Sequence, residues 1–228
     1  MKGIRDWMKG KENTTSLERF LSLFDSKRLT EEEAKEKITR GIVEIVYLNG
    51  DHCANGLLIG EGYFVTTKHI FKTGASNKRI VDYQNRKFEV QSQVFCAKKT
   101  DLALARFKRP QEEFPGYNFS SLENIAQLLP SVLIGRDNGK EYRKGCLPTH
   151  AKIQRNIVSE KVFRNNILPM YCFSMNSGKN GDSGGVFATA NGDILGFMRG
   201  SWPGEETKWV YGVKSEYLAS LINAYLKK

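Results

Sequence analysis

From Gly41 to about residue 107 the chain is a succession of short β-branched and aromatic runs, each cut off by glycine, asparagine or a charged pair. GIVEIVYLNG, NGLLIG, GYFVTT, KRIVDYQ, KFEVQSQVF and DLALARF follow one another with no helical apolar period among them. Short strands with frequent turn signals restrict the fold to an antiparallel sandwich or barrel. A second block of the same kind follows: PSVLIGRDNG, HAKIQRNIV, MYCFSM, GGVFATANGDILGFMRG and KWVYGVK. Within it Asn191-Gly192 separates VFATA from DILGF, the dipeptide of a two-residue hairpin. No sequence repeat relates the two blocks.

Helical patterns flank the strands. In residues 1–40, Leu17, Phe20, Leu21 and Phe24 form one apolar stripe, and Thr30 with Glu33 predicts a capping box opening a second helix through about Ile38. This extension either packs on the next unit or serves as an arm for a regulatory protein partner. Residues 41–109 form the first β unit and 110–130 a connector carrying Pro110, Pro115 and Pro130. The second unit spans 131–214 and a terminal helix 215–228. That helix carries Leu218, Leu221, Ile222 and Tyr225 on one face, with Ser215 as N-cap.

Composition narrows the function classes. At 228 residues and 40% hydrophobic content the chain can bury a substantial core, which argues against a disordered chain. No apolar run is long enough for a signal peptide or a membrane span, so no membrane role is expected. The four cysteines lack any metal-ligand spacing; no metal or other cofactor is expected, and a cytoplasmic location with reduced thiols is. The net charge of +10 is spread along the chain without a nucleic-acid motif, so nucleic acid is not the expected partner.

The sharpest local signal is Gly181-Asp182-Ser183-Gly184-Gly185. Glycines on both sides of a serine permit a tight turn whose backbone N–H groups converge, as an oxyanion site requires. A serine hydroxyl needs an adjacent base. Of three histidines, His69 ends the apolar run GYFVTTKHI and would stand at a strand end facing a cleft. His52 lies in LNGDHC, read as an exposed hairpin tip, and His150 carries no chemical assignment. A buried carboxylate should fix the histidine tautomer, and Asp101, at the mouth of LALARF, is the candidate.

With this order, His69, Asp101, Ser183, the sequence resembles the trypsin-like, chymotrypsin-fold serine peptidases. TTKHI, DLALARF and GKNGDSGGVF carry the resemblance, which covers about residues 41–226. LLPSVLIGRDNG looks like the opening of the second barrel in the HtrA-type branch, although no PDZ-like domain follows. The resemblance implies an all-β fold of two six-stranded antiparallel barrels with the site between them. Ser183 would then be the nucleophile, His69 the base and Asp101 its orienter. Gly181 and Ser183 would supply the oxyanion-hole amides, and Asp182 would position the loop.

The resemblance also bears on specificity and activation. Ser177 falls at the base of the specificity pocket, which removes the acidic group expected of a trypsin-like preference for Lys or Arg. Arg199 either lines that pocket and favours acidic groups or is a solvated strand-end residue. Ile70, not cysteine, follows His69, consistent with reduced thiols. Arg40-Gly41-Ile42-Val43 resembles a zymogen cleavage site but reads as strand. Without a freed N-terminus, Asp182 needs another partner. The function these features imply is a serine endopeptidase acting on protein or peptide substrates. A regulated or inactive binding module on the same fold is the alternative.

Overall fold

The structure of the chain, a computed structural model, describes residues 29–60, 62–96, 100–108, 117–120, 130–148, 170–175, 179–202 and 209–227. The apolar stripe over 17–24, the run HAKIQRNIV, His150 and Ser177 lie outside them.

Helix α1 (Glu31–Gly41) leads into the first barrel, β1 (Ile42–Tyr47), β2 (His52–Gly60), β3 (Tyr63–Thr67), β4 (Lys78–Val81), β5 (Lys87–Cys96) and β6 (Leu102–Phe107). It closes in the order β1-β2-β3-β6-β5-β4. After β7 (Asn118–Phe119) the second barrel is built from β8 (Ser131–Asp137), β9 (Lys140–Pro148), β10 (Met170–Ser174), β11 (Val186–Thr189), β12 (Asp193–Trp202) and β13 (Trp209–Lys214). Its sheet runs β11-β8-β9-β10-β13-β12 and closes through β11 and β12. Helix α2 (Glu216–Leu226) ends the described chain. The expected pair of six-stranded barrels is therefore present.

Strand alternation divides each barrel's side chains between two cores. On β6, Ala105 and Phe107 point into the first barrel, beside Val43, Ile45, Leu58, Phe64 and Ile80. Leu102 and Leu104 face outward and join Ile134, Val186, Ile194, Phe197 and Val213 of the second barrel. Ile38 of α1 and Leu218, Leu221 and Ile222 of α2 close this shared core. The second barrel has its own interior, where Phe173 stacks on Phe187 at 4.0 Å between ring centres. The shared core fixes the cleft between the barrels, because neither barrel can shift without exposing it.

Details depart from the sequence reading. Thr30 and Glu33 form the expected capping box, but Arg40 and Gly41 are the last turn of α1, not strand. The connector contributes β7, which pairs in parallel with β12, Asn118 opposite Asp193. Ser215 holds the N-cap position of α2 without capping it, and its hydroxyl donates to Ser120 O at 3.2 Å. β9 is a strand that the sequence reading does not contain: its charged sequence KEYRKGCLP hides an alternation that follows the Asn138-Gly139 turn. Both turn residues have positive φ, 51° and 74°, as a primed two-residue hairpin demands.

Candidate active site

The antiparallel pairing of β3 with β6 brings His69 and Asp101 together. Thr67 stands opposite Leu102, and just beyond this pair Lys68 N–H donates to Asp101 O at 2.9 Å. β3 then gives way to a 3₁₀ turn, Lys68–Thr73, that carries His69. Asp101 Oδ1 accepts the His69 backbone N–H at 3.1 Å, and Oδ2 lies 2.6 Å from His69 Nδ1. On the far side of the ring, Nε2 lies 3.1 Å from Ser183 Oγ. The Asp101 side chain is 9% exposed and that of His69 32%, so the carboxylate is enclosed and the imidazole opens to the cleft. A carboxylate oxygen accepts, so Nδ1 carries hydrogen and Nε2 turns its lone pair to the serine.

Ser183 reaches this point through a loop tied to both barrels. Asn55 N–H on β2 donates to Ser183 O at 2.7 Å, and Gly184 N–H donates to Met198 O on β12 at 2.7 Å. Gly184 has φ +78°, and a Cβ there would stand 1.9 Å from Asn55 O, so only glycine fits. Gly185 N–H donates to Asp182 O at 3.0 Å, which turns the opposite edge of that peptide, the Ser183 N–H, the other way. Among the described residues, the Gly181 and Ser183 amides donate to no other protein group.

Asp182, fully buried, is paired rather than orphaned. Lys144 Nζ on β9 donates to Oδ1 at 2.8 Å and Oδ2 at 2.7 Å, and Lys179 N–H donates to Oδ2 at 2.8 Å. The buried Tyr142 phenol beside it is pushed well above its usual range, first by burial and then by the Asp182 charge.

His52 is the clearest correction. Its side chain is 12% exposed, not a solvated hairpin tip. Nδ1 lies 2.9 Å from Glu44 Oε1 and Nε2 2.9 Å from Gly181 O. Glu44, buried on β1, also accepts the N–H groups of Asn138 and Gly139 at 3.0 and 2.8 Å. Burial works against charge on His52, but the hydrogen bonds to Glu44 and Gly181 O outweigh it and raise its pKa. Burial likewise works against the Glu44 carboxylate. The His52, Gly139 and Asn138 hydrogen bonds outweigh it, and the pKa falls. Both shifts favour the charged pair. Asp137 approaches the same cluster, and the three ligand atoms lie within 4.8 Å of one another. Both His52 nitrogens face protein acceptors and Lys179 pairs with Asp137, so the cluster is closed as an ion-pair network rather than open to a metal.

Arg199 lies where β12 carries an extra residue against β13: Met198 pairs with Gly212 and Gly200 with Tyr211. The bulge turns both ends of Arg199 inward. Its carbonyl accepts from Ser183 Oγ at 3.3 Å, and its Nε donates to Asp101 Oδ2 at 2.9 Å. The guanidinium is therefore committed to Asp101.

The structure thus brings His69, Asp101, Ser183, Gly181 and Arg199 together. Sequence reasoning missed Glu44, His52, Asn55 and Lys144. Only the hairpin at Asn138-Gly139, which delivers Lys144, left a local signal.

The Trypsin family model matches residues 31–219. A comparison with curated proteins finds no match. Among solved structures, the chain is similar to the inactive form of a serine-to-alanine mutant of Rv3671c from M. tuberculosis H37Rv. That match has a TM-score of 0.61 at 18% identity, covering 84% of this chain and 89% of the other. It is also similar to the HtrA-type protease AlgW solved with a decapeptide, with a TM-score of 0.67 at 12% identity, covering 87% and 68%. At these identities the structural likeness shows the fold, two barrels meeting at a cleft. The family match spans both barrels and the whole His69, Asp101, Ser183 constellation, and the chain belongs to the trypsin family of serine proteases.

Proposed function

We propose that the chain is a serine endopeptidase that hydrolyses protein or peptide substrates through an acyl-enzyme on Ser183. The observation that carries this reading is the continuous relay from Asp101 Oδ2 to His69 Nδ1 at 2.6 Å and from His69 Nε2 to Ser183 Oγ at 3.1 Å. Ser183 Oγ attacks the scissile carbonyl as its proton passes to His69 Nε2. Asp101 holds the ring and offsets the imidazolium charge. The Gly181 and Ser183 amides are the donors assigned to the oxyanion. Collapse of the intermediate breaks the C–N bond, and His69 returns the proton to the leaving amine. Water then attacks the acyl-enzyme, with His69 again as base, and Ser183 recovers its hydrogen.

A peptide substrate is supported by the AlgW neighbours, solved with a decapeptide and a tripeptide. A cytoplasmic setting belongs to the same proposal and is supported by free thiols at Cys53, Cys96 and Cys146. The test is fluorophosphonate labelling together with cleavage of casein. The wild-type chain is expected to do both, and Ser183→Ala neither. Equal labelling of the two would show that Ser183 is not the nucleophile.

A further inference from the structure

We infer that Lys144 is the positioning residue of the nucleophile loop. It holds Asp182 in place of any charge set free by chain cleavage, so the uncut chain carries a formed site. This rests on the peptidase reading and adds how the site is kept in shape.

A fully buried carboxylate is costly unless it is paired and hydrogen-bonded. Asp182 stands between Gly181 and Ser183, the two residues assigned the oxyanion amides, so the direction in which its side chain is drawn sets the peptide planes on either side. Lys144 contacts both carboxylate oxygens. It is delivered by rigid structure: β9 pairs with β8 along seven residues, Lys144 opposite Leu133. The opposite pull comes from the first barrel, where His52 Nε2 and Asn55 Nδ2 donate to Gly181 O at 2.9 and 3.0 Å. The loop is strung between the barrels, with its charged anchor in the second.

A separate observation argues against cleavage at Arg40. Gly41 is the last residue of α1, packed so closely on Tyr117 that a Cβ would stand 1.8 Å from the phenol oxygen. Ile42 N–H donates to Ile38 O, Ile42 pairs with Leu57, and both Ile42 and Val43 are fully buried. The residue that cleavage would free is already built into the barrel wall, and the carboxylate it would serve already has its cation.

The experiment uses the full chain, with mass spectrometry confirming an intact N-terminus. Readouts are the fluorophosphonate labelling rate, kcat and KM on a peptide substrate, and thermal melting. Lys144→Met is expected to fall about 100-fold in labelling and kcat with KM little changed, the scale of losing an oxyanion donor. Lys144→Arg is expected to stay within about tenfold of wild type, the conservative cation restoring what the methionine removes. Arg40→Gln is expected to match wild type. Should Lys144→Met not fold, Lys144→Met/Asp182→Asn removes both charges of the pair and leaves neither unpaired; it is expected to melt cooperatively and label slowly.

Wild-type labelling by Lys144→Met or by the double variant overturns the inference and leaves the peptidase reading intact. So does loss of labelling in Arg40→Gln, which would show that cleavage is required. A wild-type chain that is not labelled at all removes the peptidase reading, and this inference with it.

Discussion

Arg199 and His69 share one oxygen: Asp101 Oδ2 accepts from Arg199 Nε at 2.9 Å and lies 2.6 Å from His69 Nδ1. In the proposed reaction, a cation so placed offsets part of the attraction that the carboxylate exerts on the imidazolium formed as Ser183 gives up its proton. The same residue's carbonyl lies 3.3 Å from Ser183 Oγ, a second acceptor for a hydroxyl that has one proton to give. Arg199 thus restrains the site from two directions.

Arg199→Gln keeps a donor for Asp101 and removes the charge. The Arg199 side chain is 19% exposed, so solvent screens part of the effect. A gain of about 1 kcal/mol in transition-state stabilisation, roughly fivefold in labelling rate, is expected. A rate at or below wild type would show that the guanidinium supports Asp101 rather than competing with His69.

Gly184→Ala places a methyl group 1.9 Å from Asn55 O and 2.5 Å from Thr66 Oγ1, at φ +78°. The backbone must move, and a loss of about 3 kcal/mol or more is expected, with slowed labelling. Gly50→Ala is the control: its φ is +95°, but nothing lies within 4 Å. It should cost only the left-handed penalty, about 1 kcal/mol. Chemical denaturation of both variants measures the difference.

His52→Gln should make stability depend on pH differently from wild type. His52 has a raised pKa, so its contribution is full below its unfolded value, near 6.5, and is lost as pH rises through the folded value. Glu44 has a lowered pKa, so its contribution is present above its unfolded value and is lost as pH falls through the folded one. The gap in melting temperature between wild type and variant should be widest between the two unfolded values, 4.5 for Glu44 and 6.5 for His52, and should close toward alkaline pH. A gap that is constant with pH would show that His52 contributes by packing alone.

Thr30→Ala removes the side chain that accepts from Glu33 N–H at the start of α1. A loss of about 1 kcal/mol is expected, measured by thermal or urea unfolding, with labelling unchanged. Slowed labelling would show that α1 communicates with the cleft.

The three residues of the relay were readable from sequence because each sits at a local boundary. His69 ends the run into β3, Asp101 opens β6, and Ser183 is framed by glycines. Strand alternation and turn dipeptides likewise made the two β units legible, since both follow from backbone sterics over a few residues. Lys144 in KEYRKGCLP looked like any solvated lysine, and His52 after Asn49-Gly50-Asp51 like any hairpin tip. Their roles depend on partners distant in the chain, Asp182 and Gly181, brought near by barrel closure.

Sequence by itself determined the strand pattern, the order of His69, Asp101 and Ser183 and the glycines that let the serine loop turn. Only the tertiary structure decided how those residues are held. The charge on Lys144 becomes an anchor, and that on Arg199 a restraint, once burial leaves Asp182 and Asp101 little water and few partners. Which cation reaches which carboxylate is set by strand register and by the bulge at Arg199, distances that no local run of residues encodes.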